Sequence, residues 1–130
     1  MRSSKVFSID GETFDIGVVS LKREAPVLDK FAERTDDGDL QREIIGVYFN
    51  YTMTFPEMNL DMNEYARLYD KVTEPVEFHT VTVPGTIGSF TYQAYITGVT
   101  DELLRIDLDK NINYWGNLQI KFIAKTPSRS

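Results

Sequence analysis

The stretch Ile45-Gly46-Val47-Tyr48-Phe49-Asn50-Tyr51-Thr52-Met53-Thr54-Phe55 decides the fold class. Its odd positions, Ile45, Val47, Phe49, Tyr51, Met53 and Phe55, are all apolar or aromatic. Its even positions, Gly46, Tyr48, Asn50, Thr52 and Thr54, are mostly polar. In a strand, successive side chains point to opposite faces, so this alternation predicts one long strand with one buried face.

The pattern recurs twice downstream. Phe90, Tyr92, Ala94, Ile96 and Gly98 alternate with Thr91, Gln93, Tyr95 and Thr97, and Leu118, Ile120, Phe122 and Ala124 alternate with Asn117, Gln119 and Lys121. Val76 to Val83 is a β-branched run, and Pro84-Gly85-Thr86-Ile87-Gly88 is a turn that joins it to the Phe90 strand as a hairpin. A further hairpin is signalled by Val6–Ile9 and Thr13–Ile16 around Asp10-Gly11-Glu12, because glycine tolerates positive φ; the second run extends toward Val18, Val19 and Leu21. Asp101–Asn113 fits neither helical nor strand period, and Asp109-Lys110-Asn111 reads as a turn.

One helix is expected over residues 63–73. Asn63 reads as the N-cap, with Glu64 in the first turn. Tyr65, Leu68, Tyr69 and Val72 follow at helical spacing, and Pro75 excludes the α conformation at Glu74. The fold class is therefore mainly β: an antiparallel sandwich or rolled barrel of about seven strands with one flanking helix, in a single domain over 1–130.

Residues 22–43 break the pattern. Twelve of these 22 residues are charged, seven acidic and five basic, and Pro26 interrupts any strand. The stretch reads as an extended charged loop or hairpin that turns at Asp36-Asp37-Gly38-Asp39. A segment this long and this poor in core residues is often functional. Val27, Leu28, Phe31, Arg34, Asp36 and Asp37 are the candidate assembly contact: a small apolar anchor within a charged rim. The plainer reading is a solvated hairpin.

Chemistry is thin. The chain has no cysteine, which removes thiolate nucleophiles, thiolate metal sites and disulfides. Its one histidine, His79, could form an acid–base dyad with Glu77 on one strand face, but no further catalytic pattern surrounds it, and a structural histidine is the better reading. Asp107–Asn111 resembles the opening of a calcium loop, yet Ile112 and Leu118 stand where Gly and Glu are required. Asn50-Tyr51-Thr52 matches a glycosylation sequon within a strand and reads as chance. No catalytic residue, metal ligand or cofactor is expected.

The net charge of −6 disfavours nucleic-acid binding, because an acidic surface gains nothing from counterion release. It would suit a channel wall to which DNA does not adhere. No apolar run reaches a membrane span, and Met1–Asp10 meets acid too early for a secretory signal. Tyr48, Tyr51, Tyr92, Tyr95 and Trp115 could make a stacking platform, but the outward ones more often mark a second layer or a subunit contact.

Several strings are distinctive: Phe31-Ala32-Glu33-Arg34-Thr35, Arg42 to Tyr51, Thr73 to Pro84, Tyr114-Trp115-Gly116-Asn117-Leu118 and Phe122-Ile123-Ala124-Lys125. In these the chain resembles a family of small proteins encoded in prophages and tailed phages of Gram-positive gut bacteria, over nearly its whole length. The resemblance implies a tail or baseplate structural component with a tail-tube-like plan. It further implies a homo-oligomeric ring or tube, other tail proteins as partners, and location in the virion after synthesis in the host cytoplasm. The family carries no catalytic motif to transfer. The alternative is a phage-associated carbohydrate or host-surface binding module that uses outward aromatics; a small enzyme or inhibitor is the remaining class.

Overall fold

The computed structural model describes residues 7–14, 16, 20–55 and 62–129; the side chains of 30–32, 41 and 42 lie outside the described set. The described elements, in chain order, are β1 (Ser8–Ile9), β2 (Glu12–Thr13), β3 (Ser20–Glu24), β4 (Val27–Arg34), β5 (Leu40–Val47), β6 (Asn50–Phe55), α1 (Met62–Val72), β7 (His79–Pro84), β8 (Ser89–Asp107) and β9 (Ile112–Ala124). Seven strands form one antiparallel sheet in the order β2-β1-β7-β8-β9-β6-β3, while β4 and β5 form a separate two-stranded ribbon. The architecture is mainly β with one helix and a barrel-like sheet.

The sheet rolls. β3 stands at one edge, four places from β7, yet Arg23 Nη2 donates to Thr86 Oγ1 in the β7–β8 turn at 3.0 Å. Phe7, beside β1, and Phe55, on β6, bring their rings to 6.0 Å in an edge contact. Both contacts join the two ends of the strand order, so the concave face closes on itself. Its filling includes the alternating sets anticipated from sequence, Tyr51, Met53 and Phe55 of β6 and Leu118, Ile120 and Phe122 of β9, joined by Val81 and Val83 of β7, all buried in one cluster. Tyr65, Leu68 and Val72 bring the apolar stripe of α1 into the same cluster; Phe49, Tyr69, Phe90 and Tyr92 pack at its margin, half-buried.

The first hairpin turns at Asp10 (φ 53°) and Gly11 (φ 82°), the two positive values that a two-residue type I′ turn requires. The helix starts at Met62, so Asn63 lies inside its first turn rather than capping it; residues 56–61 are outside the described set, as are 17–19, where the continuation through Val18 and Val19 was expected. Val76–Phe78 precede β7 instead of forming part of it.

Two expectations are corrected. The run 45–55 is not one strand. It divides at Tyr48-Phe49, with β5 in the ribbon and β6 in the sheet. Ile45 is 44% exposed, and Gly46, expected to face outward, is buried. The reason is the C-terminal tail. Val47 bridges to Arg129, and a Cβ at position 46 would lie 2.5 Å from Pro127 Cβ and 2.7 Å from the Arg129 carbonyl. Only glycine lets the tail approach that closely. Likewise 101–107 is strand, the distal half of the 19-residue β8. Register shifts at Ile96/Gly98, Thr100/Glu102 and Leu103/Arg105 displace the alternation there, which is why no clean period shows.

Substituting Phe122, fully buried on β9, by alanine should cost about 3–5 kcal/mol. Ile45→Ala should cost no more than about 0.5 kcal/mol in the monomer. Urea unfolding of the two variants measures both; equal losses would return Ile45 to the core.

Candidate functional site

Three places gather side chains with chemical potential. The first surrounds His79. It begins β7 and is 3% exposed. Its Nδ1–H donates to Asp10 Oδ2 at 2.7 Å, and the Thr80 backbone N–H donates to Asp10 Oδ1 at 2.8 Å. The partner is thus Asp10 from the first hairpin, not Glu77, which lies outside the strand. Sequence spacing could not signal this pair, 69 residues apart; the only trace was the turn that holds Asp10 in place.

Glu74 completes a group in which one ligand atom from each of Asp10, Glu74 and His79 lies within 4.8 Å of the others. A cation already stands there. Lys71 Nζ is 2.9 Å from Glu12, 3.5 Å from Asp10 and 3.6 Å from Glu74. The Glu12 hydrogen bond and the charges of Glu12, Glu74 and Asp10 hold its ammonium above the usual lysine range, against partial burial. A metal ion would have to displace this lysine and take Asp10 from His79. The cluster is therefore read as a clamp between the C-terminal turn of α1 and the first hairpin. Arg67 extends it: it bonds the Thr13 carbonyl at 2.6 Å and Glu64 at 2.8 Å, and lies 4.5 Å over the Phe14 ring.

The second place is the β4–β5 ribbon. Its pairing runs from Val27↔Val47 to Arg34↔Leu40, with irregularities at Leu28/Asp29 and Asp29/Phe31. The turn closes through Thr35 N–H to the Asp39 carbonyl at 2.7 Å and Gly38 N–H to the Thr35 carbonyl at 2.9 Å, with Gly38 at φ 89°. Arg34 Nη1 caps the Gly38 carbonyl at 2.8 Å. Of the six residues anticipated as the assembly contact, Val27, Leu28, Arg34, Asp36 and Asp37 are exposed on this ribbon, and Phe31 pairs through its backbone with Glu43, its side chain lying outside the described set. Leu40, Ile44 and Ile45, between 44% and 54% exposed, join the apolar part and were not anticipated. Among the described elements, β4 and β5 pack substantially only on each other.

The third place is a groove of about 570 Å³ between α1 and the distal part of β8–β9, lined among others by Asn63, Tyr69, Asp70, Asp101, Asn113 and Trp115. At its wall the buried Tyr65 hydroxyl donates to Asp101 Oδ2 at 2.9 Å. Burial first, and then this bond to a carboxylate, keep the phenol protonated far above its ordinary range. From sequence, Trp115 groups with Tyr48, Tyr51, Tyr92 and Tyr95 as a candidate stacking platform; nothing in sequence spacing joins it to the helix.

Other sequence candidates resolve locally. Asn50 Oδ1 accepts the Ala124 N–H at 2.9 Å, so the sequon side chain is engaged within the sheet. Asp107 Oδ1 accepts the Lys110 N–H in the tight turn 108–111, with Asn111 at φ 56°. Tyr51 and Tyr92 face the concave side with rings 5.4 Å apart, whereas Tyr95 is outward and meets Phe78 edge-on. No helix among the described residues is long and apolar enough to cross a membrane. The chain matches no model of a protein family and no curated protein sequence.

The Asp10 carboxyl feels burial, which would raise its pKa, but the His79 and Thr80 hydrogen bonds and the nearby His79 and Lys71 charges outweigh it and hold the value below 3.8. A depressed carboxylate contributes stability in full above its unfolded value and loses it as pH falls through the folded value. Asp10→Asn keeps the turn conformation and one acceptor oxygen for the Thr80 N–H, but its amide nitrogen cannot accept from His79 Nδ1–H and its lost charge leaves Lys71 one carboxylate short. It should cost about 1–2 kcal/mol at pH 7, with the gap to the parent closing below pH 3.8. Denaturant unfolding at several pH values checks this; a gap that persists unchanged into acid would remove the charged clamp.

Proposed function

We propose that this protein is a non-catalytic structural subunit of a phage or prophage tail, acting by self-assembly or docking in the tail tube or baseplate. The phage part rests on the resemblance of the strings 31–35, 42–51, 73–84, 114–118 and 122–125. The assembly part rests on one observation: an uncovered two-stranded ribbon that carries Val27, Leu28, Leu40, Ile44 and Ile45 into solvent.

A lone two-stranded ribbon is marginal in water and leaves unpaired N–H and C=O groups along its edges; here the tail pairs with β5 only at its root, through Val47 and Arg129. A strand or face from a second copy satisfies both needs. The ribbon carries charges of both signs, including Arg34 against Asp36, Asp37 and Asp39, which favours a set register on a like subunit over indiscriminate adhesion. Its placement supports an open or cyclic assembly. β9 pairs Phe122 with Tyr51 near the ribbon root, and Ile112 with Asp107 at the far tip, where Ile106 and Leu108 are exposed. Apolar projections thus leave opposite ends of β9, and contacts between unlike ends generate rings or filaments.

The parent chain should sediment and elute well above its 14.9 kDa mass, with rings or tubes in negative stain. Replacing residues 28–45 by a short Gly-Ser turn should leave the cooperative unfolding transition in place and yield a monomer, since a change of loop length alters closure entropy only slowly. A parent that stays monomeric at high concentration, or a shortened chain that assembles like the parent, would overturn the proposal.

A further inference from the structure

The groove between α1 and β8–β9 is chemically unlike the rest of this surface. Three aromatic residues, Tyr65, Tyr69 and Trp115, line it together with two carboxylates, Asp70 and Asp101, and the amides of Asn63, Asn111 and Asn113. Among the described residues, no lysine or arginine lines it. The carboxylates Asp70 and Asp101 oppose phosphate, sulfate and nucleotide ligands, and no described side-chain cation offsets them. Carboxylates and amides together supply acceptors and donors for neighbouring hydroxyls, and an exposed aromatic ring offers a flat apolar face beside them. That is the chemistry of a sugar, whose hydroxyl edge and C–H face lie side by side.

We infer that this groove binds an uncharged oligosaccharide, with Trp115 as the stacking face and Asp101 as the principal hydroxyl acceptor. The site is partly built in advance. Tyr65, 4% exposed, donates to Asp101 Oδ2, which fixes the carboxylate and leaves Oδ1 for a ligand. Tyr65 is thus a positioning residue, and Trp115 and Asp101 make the contacts. Trp115 is 37% exposed, and half-buried Tyr69 on the helix lines the groove with it. Restraining a carboxylate before binding lowers the ordering cost of the complex. This inference stands apart from the assembly proposal, because it uses none of the ribbon residues.

Trp115 is the only tryptophan of the chain, so its fluorescence reports on this groove alone. The full chain would be titrated with cellotetraose, maltotetraose and tetra-N-acetylchitotetraose, and with a sulfated heparin tetrasaccharide as the anionic contrast. At least one uncharged sugar should give a saturable change, and the sulfated one none. Asp101→Asn and Tyr65→Phe should each weaken binding by about tenfold, equivalent to roughly 1.4 kcal/mol. Isothermal calorimetry on Trp115→Ala, where the reporter is lost, should show no heat of binding. Circular dichroism and unfolding midpoints separate these effects from misfolding; Asp70→Asn, farther from the Tyr65 bond, provides a second, milder variant should Asp101→Asn not fold. No saturable change with any uncharged sugar at concentrations on the order of 10 mM, preferential binding of the sulfated sugar, or undiminished binding by Trp115→Ala would overturn the inference.

Discussion

Leu118, Ile120, Phe122 and Ala124 form the inward row of β9, and the rest of the fold leans on that row. β9 is the strand that joins two long hairpins, pairing with β8 on one side and β6 on the other. Each inward residue therefore packs in a sheet that is anchored from both directions. Because the sheet curls until β3 meets the β7–β8 turn, the row also becomes the centre of a closed core rather than one face of a flat layer. The helix completes the closure through Leu68, and its polar side is tied down by Lys71 and Arg67 to the first hairpin. Burial supplies the driving force, and the ion cluster sets where the helix lies, since partly exposed ion pairs contribute little stability individually but do fix geometry.

The same two hairpins explain where functional surfaces can arise. β3–β6 continues past Pro26 and Phe49 into the β4–β5 ribbon, and β8–β9 continues past the helix into a tip at Leu108. Inside the roll, alternation sorts side chains into core and solvent. Beyond it there is no core to face, and apolar residues on either side of the ribbon meet water. The chain retains Leu28, Leu40, Ile44, Ile106 and Leu108 at such positions, 48% or more exposed. Isolated exposed apolar residues are ordinary, but a ribbon carrying several of them is the surface on which the proposed assembly contact rests.

Much of this was legible because it depends on local pattern. The inward sets of β6 and β9 and the stripe Tyr65, Leu68 and Val72 followed from periods of two and 3.6. The Asp10-Gly11 turn followed from the need for positive φ. The failures have specific causes. Residues 45–55 keep an apolar alternation across the Tyr48-Phe49 break, and alternation cannot tell whether the next strand stays in the same sheet. At 101–107 and 28–31, bulges shift the period, so strand residues read as irregular. The His79–Asp10 bond and the Tyr65–Asp101 bond join residues 69 and 36 positions apart, and they exist only once the sheet has rolled and the helix has docked. Side-chain pairs of that kind have no signature in a single sequence.

Charge distribution bears on the proposed assembly as well. The chain carries six more acids than bases, but not evenly. From Glu33 to Asp39 the ribbon end holds four acidic residues and one basic one. On the sheet, Lys22 of β3 and Lys121 of β9 flank Thr52 on the outward face, two strand spacings or roughly 10 Å apart. Neither lysine is in an ion pair among the described residues. Among the outward neighbours along these strands, Ser20, Thr54 and Gln119 carry no charge, while Glu24, on the same face of β3 as Lys22, is acidic. In the proposed assembly, the acidic ribbon end would be repelled by the same end of a copy and would meet less repulsion at the face that carries Lys22 and Lys121. Electrostatics of this sort contribute more to orientation and rate than to affinity, so the apolar ribbon residues would supply the holding and the charges the direction.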